Sequence, residues 1–162
     1  MNPNQPVRLE ISQPIRFENE TMLDASPSEV WRALTDARRF GDWFGVTLDT
    51  VFAPGQLAVG LMRTDGAHPL EFTAKVIRMQ PERLFSFRWH PHAVDPSVDY
   101  DEEPTTLVEF TLDRAQGKTL LTVAESGFER LPAKRRDHAY AANSRDWLLQ
   151  IGNLQRHLQQ RH

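Results

Sequence analysis

The sequence predicts an α+β fold in which a curved antiparallel sheet of six to seven strands wraps around a long C-terminal helix, with two short helices after the first strand. Three observations carry that prediction. Ile15, Phe17, Thr21 and Leu23 alternate with Arg16, Glu18, Glu20 and Asp24, the period of a half-buried strand. Segments rich in β-branched and aromatic residues then recur between turn signals at Pro54-Gly55, Asp65-Gly66, Pro81-Glu82 and Ala115-Gln116-Gly117. Finally, Tyr140, Ser144, Trp147, Ile151, Leu154 and Leu158 form one stripe at helical spacing.

Taken in order, residues 1–14 hold three Pro among polar neighbours and read as a flexible arm, leaving 15–162 as a single domain. After the first strand, Ser26-Pro27-Ser28-Glu29 supplies a capping hydroxyl, Pro at the first helical position and Glu in the first turn, so a short helix begins there. Asp36 can cap a second turn through Ala37 to Phe40, which Gly41-Asp42 is expected to break before Trp43-Phe44. Strands are expected near 46–52, 57–64, 70–79, 83–90, 105–114 and 118–128. Residues 91–104 (PHAVDPSVDYDEEP) contain three Pro and five acids with little apolar periodicity and form a long loop, suited to a mouth or lid. The closing helix is expected over 133–160. It is the one element large enough to cover the apolar face of such a sheet.

Composition narrows the function. Of 162 residues, 40% are hydrophobic and 25% charged, as in an ordinary globular domain, and a chain of this length buries about 70% of its unfolded surface. Cys is absent, which excludes disulfides, Cys-ligated metal sites and a cysteine nucleophile. A net charge of −3 argues against a nucleic-acid partner, although Arg outnumbers Lys by 16 to 3. No segment has the length of an apolar membrane span or the apolar core of a secretory signal, so the expected location is cytoplasmic. The sequence holds no serine elbow, phosphate loop, dinucleotide fingerprint or HExxH stretch, and no cofactor is expected.

Several short motifs occur in a telling order: Ala25-Ser26-Pro27 leading into Val30-Trp31-Arg32-Ala33-Leu34-Thr35, then Trp43-Phe44, Pro54-Gly55, Pro81-Glu82-Arg83-Leu84 entering a strand that ends at Trp89, Ser126-Gly127-Phe128, and Trp147 followed by Leu residues. In this the chain resembles the homologues of the heat-shock protein 90 ATPase activator, within the START-like (SRPBCC) superfamily, over about residues 15–160. The resemblance implies a helix-grip fold, like that of the birch pollen allergen, with a hydrophobic cavity beneath the C-terminal helix. That superfamily includes binders of lipids, polyketides and other apolar molecules, cyclases and stress proteins, so fold alone does not assign a role. The eukaryotic activator also carries a separate N-terminal chaperone-binding domain. Fourteen residues before the first strand leave no room for one, so a chaperone partner is not expected, whereas an exposed edge strand can support a homodimer.

Candidate cavity walls are Tyr140, Trp147 and Ile151 on the helix, facing Phe85, Phe87, Trp89, Val108, Phe110 and Val123 on strands, with Trp43 and Phe44 from the second helix. The same residues can equally be a filled core. Glu125 continues the phase of Leu121 and Val123 and should point inward, where burial would raise its pKa and suit it to acid–base chemistry or to anchoring a ligand. The alternative is that the strand frays at Ser126-Gly127 and leaves Glu125 solvated. Glu125, Tyr140 and His90 are thus the residues a cyclase or hydrolase would use. His90-Pro91-His92 with the nearby acids has metal-compatible ligand types, but the spacing matches no metal motif, and no metal is expected. Arg130, Lys134, Arg135 and Arg136 gather where a helix dipole disfavours cations, and the acidic loop is one way to offset that cost. The leading expectation is a non-enzymatic binder of a small hydrophobic molecule held between sheet and helix. A co-chaperone-like partner module and an enzyme are the alternatives.

Overall fold

The chain forms seven strands, three α-helices and one 3-10 turn in the computed structural model, which describes residues 13–64, 66 and 68–160. Most of the expected N-terminal arm lies outside the described residues. Strand β1 (Arg16–Leu23) is followed by α1 (Pro27–Thr35), α2 (Ala37–Phe44), β2 (Val46–Leu48), β3 (Leu57–Met62), β4 (Leu70–Gln80), β5 (Leu84–Trp89), β6 (Thr106–Ala115) and β7 (Lys118–Ser126). The 3-10 turn Phe128–Arg130 leads into α3 (Ala133–Gln159). All strand pairs are antiparallel, in the order β1-β7-β6-β5-β4-β3-β2, so β1 crosses the domain to pair with β7 and the other neighbours are sequential. This is the helix-grip arrangement.

The local chemistry explains the helix starts. Ser26 accepts a hydrogen bond from the Glu29 backbone N–H, with Pro27 at the first helical position, and Asp36 accepts from the Arg39 N–H. The expected break at Gly41 does not occur, since α2 runs through it and ends at Gly45, whose φ of 91° provides a left-handed cap. Gly41 serves a different purpose. A Cβ at that position would sit 2.3 Å from the Val46 carbonyl oxygen, so glycine is what lets the chain fold back closely from α2 into β2.

Four strands are shorter than the sequence predicts, β3 (Leu57–Met62 against 57–64) and β5 (Leu84–Trp89 against 83–90) by two residues each. β2 stops at Leu48 rather than continuing to residue 52, because the chain bends at Asp49-Thr50 and turns Phe52 into the core. β7 stops at Ser126, where Gly127 adopts a φ of 99° and starts the 3-10 turn. The 91–104 segment holds only turns and bends, as its Pro content dictates.

The space between the sheet and α3 is filled largely by aromatic rings. Phe40, Phe85, Phe87 and Phe110 are at most 1% exposed, and their ring pairs lie 5.9–6.4 Å apart, with Phe85 stacked on Phe110. Burial of each such ring contributes about 1.5–3 kcal/mol. On α3 the inward stripe is Ala139, Asn143, Trp147, Ile151, Leu154 and Leu158, so Tyr140 and Ser144 lie one position off the face the sequence predicts for them. Tyr140 packs edge-on against Phe128 at 5.3 Å, in a small second cluster with Leu131 and Ala139.

Candidate functional site

Inward phase places Glu125 of β7 opposite Val108 of β6 and Phe17 of β1, at 0% exposure. Its carboxylate accepts from four side chains on three elements. Trp147 Nε1 of α3 donates to Oε1 at 2.8 Å, while Trp89 Nε1 of β5 and Thr106 Oγ1 of β6 donate to Oε2 at 2.8 and 2.6 Å. Asn143 Nδ2 of α3 lies 3.0 and 3.1 Å from the two oxygens. Burial pushes the Glu125 carboxyl above the ordinary carboxylate range, and these hydrogen bonds from Thr106, Trp89, Trp147 and Asn143 pull it back only in part. No cation belongs to this set. An indole N–H can only donate, so each carboxylate oxygen is needed as an acceptor, and Glu125 fixes the orientation of both tryptophans.

Those tryptophans form the floor of a cleft of about 810 Å³. Trp89 and Trp147 are stacked at 5.7 Å, and Phe44 lies 6.0 Å from each and 5.8 Å from Phe72. The walls come from the 91–104 loop (Ala93 to Asp101), the start of β4 (Pro69 to Thr73) and one side of α3 (Asn143, Asp146, Leu149, Gln150, Asn153). Gln150 Nε2 donates to the Phe44 carbonyl at 2.8 Å and so locks α3 to the end of α2 beneath the cleft. A second depression of about 600 Å³ lies beside α1, α2 and β2, with Phe52 as its one aromatic lining residue.

Arg135 holds the loop that forms one wall. Its Nε and Nη2 donate to Glu103 Oε1 at 2.9 and 2.7 Å, and Nη1 donates to the Pro91 and His92 carbonyls at 3.1 Å each. The guanidinium also lies over the Tyr100 ring at 4.9 Å. One of the cations at the start of α3 is therefore neutralised by the acidic loop.

Of the residues expected to wall a cavity, Phe44, Trp89 and Trp147 line the cleft together, and Glu125 sits behind them. Phe44 and Trp147 belong to the buried core as well, together with Trp43, Phe85, Phe87, Val108, Phe110, Val123 and Ile151, which do not line the cleft, and Tyr140 is in the second cluster. His90 and His92 line the cleft, with His92 against the His138 ring at 4.8 Å. Among the described residues no three His, Asp or Glu side chains converge as metal ligands. The sequence reading missed Asn143 and Phe72. Asn143 lies four residues before Trp147, in phase with Ile151, which was the available signal, whereas Phe72 reaches the site only through the β4–β5 pairing.

A curved antiparallel sheet gripping one long helix, with an aromatic cleft at its open end, defines a START-like domain. More specifically, the chain belongs to the family of Activator of Hsp90 ATPase homolog 1-like proteins, whose sequence pattern matches residues 24–159. Among solved structures it is similar to protein MLL2253 from Mesorhizobium loti, with 22% identity, a TM-score of 0.71, and coverage of 91% of this chain and 99% of that one. It is also similar to DynU16, a protein of the dynemicin biosynthetic locus, with 28% identity and a TM-score of 0.67 over 89% of this chain and 47% of that one. A third is the Aha1 dimer from Colwellia psychrerythraea, with 15% identity and a TM-score of 0.65 over 89% and 96%. Comparison with the curated proteins gave no match. No helix among the described residues is long and apolar enough to cross a membrane.

Proposed function

We propose that the protein binds a small, largely apolar molecule in the cleft between the 91–104 loop, the start of β4 and α3, and does so as a binder rather than as an enzyme. One observation carries this reading. Four aromatic rings, Phe44, Phe72, Trp89 and Trp147, meet at the base of a cleft of about 810 Å³, a volume suited to a small organic ligand. Phe44, Phe72 and Trp147 are nearly buried while Trp89 stays partly exposed, so a molecule that covers Trp89 gains dispersion and hydrophobic energy from it. The origin of DynU16 in a natural-product locus agrees with such a ligand. Glu125 acts as a positioning residue in this account, since its oxygens are occupied by the side chains that form the floor.

A thermal-shift screen of the purified protein against lipids, flavonoids, polyketides and steroids tests the proposal. A ligand at ~100 times its Kd adds ~2.7 kcal/mol, which raises Tm by roughly 2–8 °C for a domain of this size. Thr73→Trp, which narrows the cleft from β4, should abolish the shift. A shift that persists in that variant would place binding elsewhere.

A further inference from the structure

The charge around the cleft is one-sided. Glu71 of β4, Asp95, Asp99 and Asp101 of the loop, and Asp146 of α3 are among its lining residues, whereas no Lys or Arg lines it among the described residues. None of these five carboxylates is in an ion pair among the described residues. Asp95 Oδ1 accepts from the Ser97 hydroxyl and backbone N–H, and Asp99 Oδ1 from the Asp101 N–H. The bonds from Ser97 hold the Asp95 carboxyl below its usual range. Of the two arginines close enough to act on His92, Arg135 is already paired with Glu103, and Arg145 lies outside the cleft lining. Burial, His138, Arg135 and Arg145 together hold the His92 ring below its usual pKa, against an opposing pull from Asp146.

Two further observations concern the cleft itself. The floor is aromatic, and Trp89, its partly exposed ring, can take a cation as well as an apolar group. His90 also lines the cleft, with its Nδ1 enclosed by protein and without a hydrogen-bond partner among the described residues.

Resting on the reading of this cleft as a ligand site, we infer that its ligand carries a cationic nitrogen, an amine or ammonium group, on an apolar body. The apolar part lies on the Trp89, Trp147, Phe44 and Phe72 rings and the nitrogen lies among the acids of the rim. An anionic ligand would face uncompensated carboxylates, and a neutral one would gain nothing from them.

Calorimetric titration of the full chain at pH 7.5 and low salt with three matched probes tests the inference: 1-naphthylmethylamine, 1-naphthalenemethanol and 1-naphthoate. The expected result is that the amine binds about tenfold more tightly than the alcohol, and the carboxylate most weakly. The advantage of the amine should shrink in 0.5 M salt, where the Debye length falls to roughly 4 Å. A combined Asp99→Asn, Asp101→Asn, Asp146→Asn variant should abolish the advantage of the amine over the alcohol, both measured on that variant. Asn at position 99 can keep the turn hydrogen bond, so the loop is preserved. If the alcohol or carboxylate binds as tightly as the amine, or the preference survives in the triple variant, the cationic class is overturned while the cleft remains a ligand site. If none of the three binds, the ligand-site reading fails and takes this inference with it.

Discussion

The indole N–H of Trp147 donates to Glu125 Oε1 at 2.8 Å, joining the inward face of α3 to strand β7 in the interior of the domain. Trp89 makes the corresponding bond to Oε2, so one carboxylate sets two rings of the cleft floor. The polar centre and the apolar site are thus two sides of the same pair of side chains.

Replacing Glu125 tests that coupling. Glu125→Gln keeps the volume but puts an NH2 where one oxygen accepted, so a buried donor is left facing a donor. The expected loss is about 1–3 kcal/mol, with altered tryptophan emission. Glu125→Ala leaves both indoles and Asn143 without the acceptor and should cost about 3 kcal/mol or more. Urea denaturation measures both, and an unchanged midpoint in either variant would contradict the arrangement.

Glu125 also predicts a pH dependence. Burial raises its pKa in the folded state above the unfolded value, so the folded protein binds more protons between those two values. Stability contributed by this group is therefore greatest below the unfolded pKa and declines as pH rises towards the folded pKa, beyond which it is constant. Subtracting the stability profile of Glu125→Gln from that of the parent isolates the effect. A difference that increases with pH across this window would have the wrong sign.

Arg135 should control the loop. Arg135→Ala removes the bonds to Glu103, Pro91 and His92, and amide hydrogen exchange over residues 91–104 should accelerate, with a global loss of about 1–3 kcal/mol. Arg135→Lys should not restore protection, because an ammonium cannot span the carboxylate and both carbonyls as the planar fork does. Full protection in the Lys variant would show that charge alone suffices.

The fold was legible where local chemistry and periodicity agreed. The caps at Ser26 and Asp36, the strand alternation and the Trp147 to Leu158 stripe each specify one structure, and the motif order agreed with the helix-grip architecture. Gly41 misled because glycine permits close backbone approach as readily as it ends a helix, and only the position of Val46 distinguishes the two. At the site, Glu125 could be placed inward from strand phase, but its partners could not be identified. Trp89, Thr106 and Asn143 are 36, 19 and 18 residues away, and tertiary packing alone brings them together. The larger difference lies in which residues face open space. Phe85, Phe87 and Phe110 share the inward phase with Trp89, but Phe40 of α2 covers Phe87, Trp31 of α1 and Phe52 cover Phe85, and Trp147 of α3 covers Phe110, while Trp89 lies at the end of its strand, beside the long loop.

The central claim is that ligands lie on the Trp89–Trp147 floor, and the four tryptophan indole N–H resonances test it most directly. In an 15N-labelled sample titrated with a compound that raises Tm, the Trp89 and Trp147 indole signals and backbone amides of Thr73 and Val98 to Tyr100 should shift together. Those of Trp31 and Trp43, outside the cleft lining, should stay in place. Shifts confined to Trp31 or Trp43, or stabilisation without movement of the Trp89 and Trp147 signals, would contradict the account.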